Sequence, residues 1–257
     1  MNLLKFYLFS FILLILVSCK EDNSKSFPSK EKVTTLMNET MKKSDLPAVV
    51  AIAINKNGEK VTYSHGMALW TDKTEVTSDH IFRIYSMTKL VTSIAAMQCV
   101  ENGLLGLDDD LSELMPEMTE IPILSNGKLI KSKNNITLRH LLTHTSGFGY
   151  SGMTVKEGDF NNENWAYEDA PRHFESGNHF LYGTSTDWVG KLVEKLSGLN
   201  LEVYFKKNIT GPLNMGRTSF YVSDSLQSLI VSYGRRGDVG EKELEELPDR
   251  VPTNKAT

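Results

Sequence analysis

The stretch at residues 90–100 constrains the fold most, because its apolar side chains would fall on almost every side of a helix. A helix that is apolar nearly all round belongs inside a protein, so we expect other elements to surround it. Ser86 and Lys89 come just before this stretch. They would therefore lie at the start of a buried helix, where partial desolvation would lower the pKa of Lys89.

Ser86 and Lys89 form a Ser-x-x-Lys pair, an arrangement that can activate a serine hydroxyl. An unassisted serine is a weak nucleophile, whereas a lysine that has lost its proton can accept the proton of the hydroxyl. Residues three apart on a helix share one face, with Cβ atoms ~5–6 Å apart, so the amine can reach the hydroxyl. We predict that Ser86 is a nucleophile and that Lys89 is its general base.

The spacing by itself is weak evidence, because the same pair occurs three times in the chain. The other two begin at Ser29, in a polar segment, and at Ser125, beside an Asn-Gly turn. Only Ser86 opens a long apolar helix. At this point the alternative stays open that the helix is simply buried, with an ordinary serine near its start and a lysine that reaches solvent.

The first 29 residues resemble an export signal followed by a tether. Lys5 precedes an apolar run at 6–17, which is too short to span a membrane and has the layout of a secretory signal peptide. The Leu-Val-Ser-Cys sequence that ends at Cys19 resembles the lipobox of bacterial lipoproteins. We therefore predict a signal peptide at 1–18, a lipid on Cys19 and a flexible tether at 19–29. A plain signal peptide with an incidental cysteine is the alternative.

Net charge limits the partners that the chain can bind, and cysteine content limits how its fold can be stabilised. Lys and Arg number 28 and Asp and Glu number 32, a net charge of −4, which argues against nucleic acid as a partner. The chain has two cysteines, so lipidation of Cys19 would leave Cys99 alone and the fold would depend on its core rather than on disulfides. These features predict an exported protein, anchored by lipid to a bacterial cell membrane and facing the periplasm or the cell exterior.

Apolar periodicity and turn residues predict an α+β fold. Residues 30–43 have helical spacing, and residues 48–55 and 60–64 read as two strands around an Asn57-Gly58 turn. From Ser86 onward helical patterns dominate. We divide the chain into an N-terminal helix and hairpin (30–85), a mainly helical domain (86–222) and a polar tail (223–257) without an evident strand pattern.

Four motifs, in this order along the chain, resemble the serine β-lactamase-like and penicillin-binding family, and more narrowly its class C β-lactamase and family VIII esterase branches. They are Ser86-Met-Thr-Lys89, Ile136-Thr-Leu-Arg-His-Leu-Leu-Thr-His-Thr-Ser-Gly-Phe148, Tyr182-Gly-Thr-Ser-Thr-Asp-Trp-Val-Gly190 and Gly211-Pro-Leu-Asn-Met215 followed by Thr218-Ser-Phe220. The resemblance implies the β-lactamase/D-alanyl-peptidase-like fold, an antiparallel sheet with flanking helices plus an all-helical domain, with Ser86 at the N-terminus of the helix between them.

The resemblance also implies roles for residues near Tyr182. Tyr182 stands where the family places a catalytic tyrosine, which would act as a base and proton relay. The β-lactamase pattern Tyr-x-Asn has Thr184 as its third residue here, followed by Ser185, and we expect these two to contact substrate. No metal or cofactor is expected, since His140 and His144 have a zinc-like spacing but lack the glutamate of His-Glu-x-x-His and a third ligand.

The family's later strand, which carries Lys-Thr-Gly or a variant, does not occur after Tyr221. In the family that strand supplies one backbone N–H of the oxyanion hole, and the other is that of Ser86. Loss of one such donor costs about 2.7–4 kcal/mol of transition-state stabilisation. We therefore expect a C-terminally incomplete chain, with its C-terminal strands missing and with weak or no activity.

Three functions follow from these motifs. The first is a serine hydrolase that forms an acyl-enzyme on Ser86, acting on carboxylic esters because the asparagine amide of β-lactam recognition is absent. The second is a β-lactamase or D-alanyl-D-alanine peptidase. The third, from another class, is a non-catalytic protein that captures peptidoglycan peptides or penicillin. The presence of Ser86, Lys89 and Tyr182 together favours the enzyme.

Overall fold

The computed structural model describes residues 27–44, 46–70, 73–150, 166 and 168–232, together with the backbone of two strands at 234–236 and 244–246. The chain folds into two compact units, and it passes from one to the other between His80 and Ile81 and again between Ser228 and Leu229. The predicted signal peptide, Cys19 and most of the tether lie outside the described residues. No helix of the described part is long and apolar enough to cross a membrane.

The first unit begins with a helix and a hairpin, as predicted. Helix α1 (Lys30–Lys43) starts at Ser29, whose hydroxyl accepts a hydrogen bond from the Lys32 N–H. Strands β1 (Ala48–Ile54) and β2 (Lys60–Gly66) are antiparallel, with Ile54 opposite Lys60. The Tyr63 hydroxyl of β2 donates to the Asn38 side chain of α1 over 2.8 Å, which ties the helix to the hairpin.

The second unit is mainly helical. A 3₁₀ turn (Tyr85–Met87) leads into α2 (Thr88–Glu101), and α3 (Pro116–Thr119) follows. A small hairpin, β3 (Ile123–Ser125) and β4 (Lys128–Ile130), separates these helices from the rest. The later helical elements are α4 (Leu138–Leu142), α5 (Ser185–Ser197), α6 (Leu201–Phe205), a π-helical turn (Lys206–Thr210) and a 3₁₀ turn (Asp224–Leu229).

The core of the second unit lies between α2, α4 and α5. Trp188 and Val189 of α5 are buried with Leu138 of α4 and with Ala95 and Cys99 of α2. A leucine truncated to alanine in such a core costs about 2–5 kcal/mol of folding free energy. This packing fixes the positions of the helix starts and loops that form the site described below.

The expectation that α2 is surrounded on all sides is wrong. Its buried residues are small (Thr92, Ala95, Ala96 and Cys99), whereas Leu90 is 68% exposed and Ile94 and Met97 are 42% exposed. Small side chains let α2 approach α5 closely, so the contact uses one face of the helix. The sequence shows how many residues of the helix are apolar, but it does not show which of them face a neighbouring helix.

The polar C-terminal segment contains strands that the sequence analysis did not predict. Strands β5 (Gly234–Arg236) and β6 (Leu244–Glu246) pair antiparallel, with Arg235 opposite Glu245. The Ser232 N–H donates to the Ala68 carbonyl over 2.8 Å, so the segment rejoins the first unit. Strands of three mainly polar residues carry too little apolar alternation to be recognised from sequence.

Candidate active site

Ser86 lies in the 3₁₀ turn immediately before α2, and its side chain is exposed. The residue before it, Tyr85, has a φ of 42°, in the left-handed region that residues other than glycine rarely adopt. Such local strain is concentrated at functional sites, where the surrounding fold enforces it. The turn thus presents the Ser86 hydroxyl to solvent at the N-terminal end of a packed helix.

Lys89 lies one turn further along and contacts the other polar groups of the site. Its Nζ donates to the Ser86 Oγ over 3.4 Å and to the Tyr150 hydroxyl over 3.0 Å. The same Nζ lies 4.9 Å from the centre of the Tyr182 ring. Ser86 and Lys89 also lie close enough to the Tyr182 phenol to lower its pKa. The structure therefore brings the three predicted catalytic residues together, although residues 86 and 182 are far apart in sequence.

The protonation states differ from those expected from sequence. Burial lowers the pKa of Lys89, as predicted, but hydrogen bonds to Tyr150 and Tyr182 outweigh burial, and the pKa lies above its ordinary value. Hydrogen bonds from Ser86 and Lys89 lower the pKa of Tyr182. The prediction of a lysine with a lowered pKa is therefore wrong, and the pKa of Tyr182 is the one that the site lowers.

Tyr150 is a member of the site that the sequence analysis missed. Its ring lies 5.9 Å from that of Tyr182 in a T-shaped arrangement, and its hydroxyl accepts the 3.0 Å hydrogen bond from Lys89. Tyr150 follows Phe148, the last residue of the second motif, by two positions. Adjacency to a motif was the one available signal, and only the folded loop shows that the phenol reaches Lys89.

Thr184 and Ser185 have their hydroxyls directed into the protein. The Thr184 hydroxyl donates to the Gly149 carbonyl over 3.3 Å. Ser185 is fully buried, and its Oγ lies 2.8 Å from the Ser146 Oγ. Both hydroxyls join the Tyr182 loop to the 146–149 loop, so these positions argue against the predicted substrate contacts and favour a structural role.

A cavity of about 450 Å³ opens beside Ser86 and Lys89. The start of α2 forms one wall, and α5 forms another with the charged residues Asp187, Lys191 and Glu194. Lys191 pairs with Glu168 over 3.0 Å, and Glu194 accepts a hydrogen bond from the Leu201 N–H. Burial raises the pKa of Asp187 above its ordinary value, because it outweighs the opposite effect of the nearby Lys89. The size suits a small organic substrate.

Comparison with known proteins identifies the family of this chain. The sequence model of the beta-lactamase family matches residues 33–249. The chain belongs to the beta-lactamase family. The resemblance and the fold class inferred from the four motifs are therefore confirmed.

Individual relatives of the chain include a methylbutanoyltransferase and an esterase. The chain is 36% identical over 172 residues to a monacolin J acid methylbutanoyltransferase of Aspergillus terreus, covering 61% of this chain and 41% of the relative. It is 27% identical over 220 residues to the esterase EstB of Burkholderia gladioli, covering 79% of this chain and 54% of the esterase.

The solved structure of unliganded simvastatin synthase (LovD) from Aspergillus terreus superposes with a TM-score of 0.74 at 28% identity, covering 86% of this chain and 60% of that chain. The chain spans about half the length of the curated relatives it matches.

The two histidines of the second beta-lactamase-family motif have separate surroundings. The His140 Nδ1 accepts from the Thr137 N–H over 3.3 Å, and the Thr137 hydroxyl accepts from the His140 N–H, which completes a capping box at the start of α4. His144 lies beside Tyr182, with ring centres 4.7 Å apart. Among the residues that the structure describes, no three His, Cys, Asp or Glu side chains are placed to share a metal ion.

Proposed function

We propose that this protein is a serine hydrolase that cleaves carboxylic esters through an acyl-enzyme on Ser86. The observation that carries the proposal is the exposed Ser86 hydroxyl, which accepts a 3.4 Å hydrogen bond from Lys89 and lies beside Tyr182, whose pKa it lowers. A positioned base beside a serine is the arrangement that makes the hydroxyl nucleophilic. The acyl chemistry in the names of the relatives supports this reading.

Acylation uses Tyr182 and Lys89 in different roles. Deprotonated Tyr182 takes the proton of Ser86 while the serine Oγ bonds to the carbonyl carbon of the ester. The tetrahedral intermediate collapses when the bond from that carbon to the alcohol oxygen breaks, and Tyr182 returns the proton to the departing alcohol. The Lys89 ammonium stabilises the negative charge on the phenol and stays protonated throughout, consistent with its raised pKa.

The oxyanion of this intermediate would lie close to the N-terminal end of α2, where backbone N–H groups and the helix dipole favour negative charge. The backbone N–H of Ser86 is the donor that we assign to it. Pre-arranged donors of this kind stabilise the charge that develops in the transition state.

Deacylation repeats these steps with a new acceptor. Water gives hydrolysis, and an alcohol gives transfer of the acyl group to a new ester. The 36% identity to a methylbutanoyltransferase favours acyl transfer as a second candidate function. The exposure of Ser86 leaves the acyl-enzyme open to either acceptor.

β-Lactam hydrolysis and D-alanyl peptidase activity are less favoured alternatives. Thr184 occupies the position of the asparagine in the Tyr-x-Asn pattern, and its hydroxyl is directed to the Gly149 carbonyl. The side-chain amide that would bind an acyl-amide group is therefore absent from that position. A non-catalytic protein that captures peptidoglycan peptides would bind ligand without forming a covalent bond.

Covalent labelling separates these readings. The full chain is treated with a fluorophosphonate, and the labelled residue is located by mass spectrometry. Turnover of a p-nitrophenyl ester and of a chromogenic cephalosporin is measured separately. We expect phosphonylation on Ser86, loss of labelling in Ser86→Ala, and turnover of the ester in preference to the cephalosporin. Ser125→Ala is the matched control, because Ser125 also belongs to a Ser-x-x-Lys pair but lies in the β3–β4 hairpin. Equal labelling of Ser86→Ala and the native chain would contradict the proposal.

We propose further that the mature protein is a lipoprotein, exported and anchored to a bacterial membrane through Cys19. The Leu-Val-Ser-Cys sequence at the end of the apolar run supports this proposal. Expression in bacteria with an alkyne-labelled fatty acid tests it. We expect the native chain to carry the labelled fatty acid and to be recovered in the membrane fraction, and we expect neither for Cys19→Ser. A native chain without the label would show that Cys19 is not acylated.

A further inference from the structure

His144 contacts the chain on both sides of Tyr182. Its backbone carbonyl accepts a hydrogen bond from the Leu181 N–H over 2.8 Å, and its Nδ1 accepts a long one from the Gly183 N–H at 3.5 Å. Its ring lies against the Tyr182 ring, with centres 4.7 Å apart and planes inclined at 45°. A single residue therefore fixes the residue before Tyr182, the residue after it and the face of its phenol.

The backbone of His144 is bent to make these contacts. Its φ is 55°, in the left-handed region, and it follows directly after the last turn of α4. This conformation lets the carbonyl and the side chain of one residue both bond to the Tyr182 loop. Asparagine is the residue other than glycine that tolerates such a φ best, and this preference guides the choice of variant below.

Burial and a neighbouring positive charge favour the neutral form of His144. Burial lowers the pKa of the imidazole, and Lys89 of α2 lowers it further. Lys89 and the Tyr182 phenol are the titratable groups that face it, and the Phe180 ring completes its surroundings at 6.1 Å. Because the Gly183 N–H is a donor, the hydrogen-bond network assigns the acceptor role to Nδ1 and the proton to Nε2.

We propose that His144 is a positioning residue for the acyl-transfer reaction, whose neutral imidazole holds the Tyr182 phenol within reach of Ser86. The inference rests on the proposed function, because it assigns His144 a role through the proton-accepting tyrosine. Protonation of Nδ1 places an N–H against the Gly183 N–H and adds a second positive charge near Lys89. The Gly183 hydrogen bond that holds the Tyr182 loop is then lost. Activity therefore declines as pH falls through the pKa of His144.

Two substitutions divide the roles of the imidazole. His144→Asn keeps the left-handed backbone and an oxygen that can accept from Gly183, but it cannot be protonated. His144→Phe keeps a ring against Tyr182 but has neither the acceptor nor the titration. His140→Asn is the matched control, because His140 lies four residues earlier on the same motif and caps α4.

The experiment measures kcat and KM for a p-nitrophenyl ester from pH 5 to pH 9. The rate at which a fluorophosphonate labels Ser86 is measured over the same pH range. In His144→Phe we expect kcat to fall roughly 10–100-fold with KM little changed, as a misplaced catalytic group predicts. In His144→Asn we expect near-native kcat at neutral pH and a shallower acid-side decline, because only the protonation of Tyr182 then lowers the rate. His140→Asn should keep the native profile.

The outcomes separate this inference from the proposed function. Activity that persists in Ser86→Ala would contradict the proposed function itself. Ser86-dependent activity with a native kcat in His144→Phe, or with a native acid limb in His144→Asn, would contradict the positioning role alone. Because the acid-limb test depends only on His144→Asn, poor folding of His144→Phe would leave the inference open to refutation.

Discussion

Two regions build the site by different means. Ser86 and Lys89 are three residues apart, and one turn at the start of α2 sets their side chains 3.4 Å from each other. Tyr150 and Tyr182 lie on separate loops, and their rings meet at 5.9 Å only because the loops are bonded together. Lys89 joins the two regions through its 3.0 Å hydrogen bond to Tyr150.

The bonds between the two loops are tertiary and specific. The Thr184 hydroxyl bonds to Gly149, and Ser185 bonds to Ser146. Gly183 passes so close to Phe148 and Gly149 that any side chain there would collide with their backbone. The helical pair depends on local backbone geometry, whereas the tyrosine pair depends on these contacts. Changes to the lysine should therefore affect the chemistry directly, and changes beneath the tyrosines should act through position or stability.

The largest effect is expected for Lys89→Met, which removes the charge where the two regions meet. We expect the rate of Ser86 labelling by a fluorophosphonate to fall by about 10³-fold, the upper end of what one electrostatically stabilising group contributes. Without Lys89 the pKa of Tyr182 rises. Since Tyr182 must be deprotonated to accept the serine proton, the residual rate should reach its half-maximum at higher pH than in the native chain.

Lys128→Met is the matched control for this change, because Lys128 completes the second Ser-x-x-Lys pair on β4. Its labelling rate and pH profile should equal those of the native chain. A Lys89→Met profile with an unshifted midpoint would mean that Lys89 does not set the pKa of Tyr182.

Tyr182→Phe should rank next. The phenol that we propose as the acceptor of the serine proton is lost while the ring against His144 is kept, so the fold should persist. General-base groups contribute about 10²–10⁴-fold to rate, and we expect a loss near the lower end of that range for both labelling and ester hydrolysis. Thermal unfolding should change little. A native labelling rate in Tyr182→Phe would leave Lys89 as the base, as the sequence analysis proposed.

The comparison between the regions also shows what the sequence could predict. The Ser86–Lys89 pair was predictable because helical spacing is local, and Tyr182 was predictable because its motif resembles a known family. Tyr150 was not, since nothing in residues 149 and 150 shows which loop they will meet. The pKa of Lys89 was misjudged for the same reason, because burial follows from composition, whereas two phenol partners follow from tertiary structure.

The fold shows the same division. Helix α1 and the β1–β2 hairpin were predicted closely, because each is specified by its own turn residues and periodicity. The exposed face of α2 and the β5–β6 hairpin were not. Which face of an apolar helix is covered, and whether a polar segment pairs with another, depend on distant parts of the chain.

Tyr150→Phe should have a smaller effect than Tyr182→Phe. It removes the acceptor that holds the Lys89 ammonium at 3.0 Å, but it leaves Tyr182 with Ser86 and Lys89, which lower its pKa more than Tyr150 does. We expect a loss of roughly tenfold in kcat, of the size produced by removing a hydrogen bond to a charged group. Steady-state ester kinetics measure it, and a loss equal to that of Tyr182→Phe would make Tyr150 an equal partner in proton transfer.

The smallest effect on chemistry is expected beneath the tyrosines, for Ser185→Ala. Its hydroxyl is fully buried against the Ser146 Oγ at 2.8 Å, and removal of one partner leaves the other without that hydrogen bond. An unsatisfied buried polar group costs about 1–3 kcal/mol, which urea unfolding would detect. Ser146→Ala combined with Ser185→Ala should destabilise by less than the sum of the single changes, because neither hydroxyl is then left alone.

The labelling rate of folded Ser185→Ala should stay within about threefold of the native rate, because the lost bond lies under the loop rather than against substrate. A large fall in ester turnover with native stability would instead mean that Ser185 contacts substrate, as the motif resemblance implied. The pair of measurements thus decides whether the second region contributes to the reaction only by holding Tyr150 and Tyr182 in place.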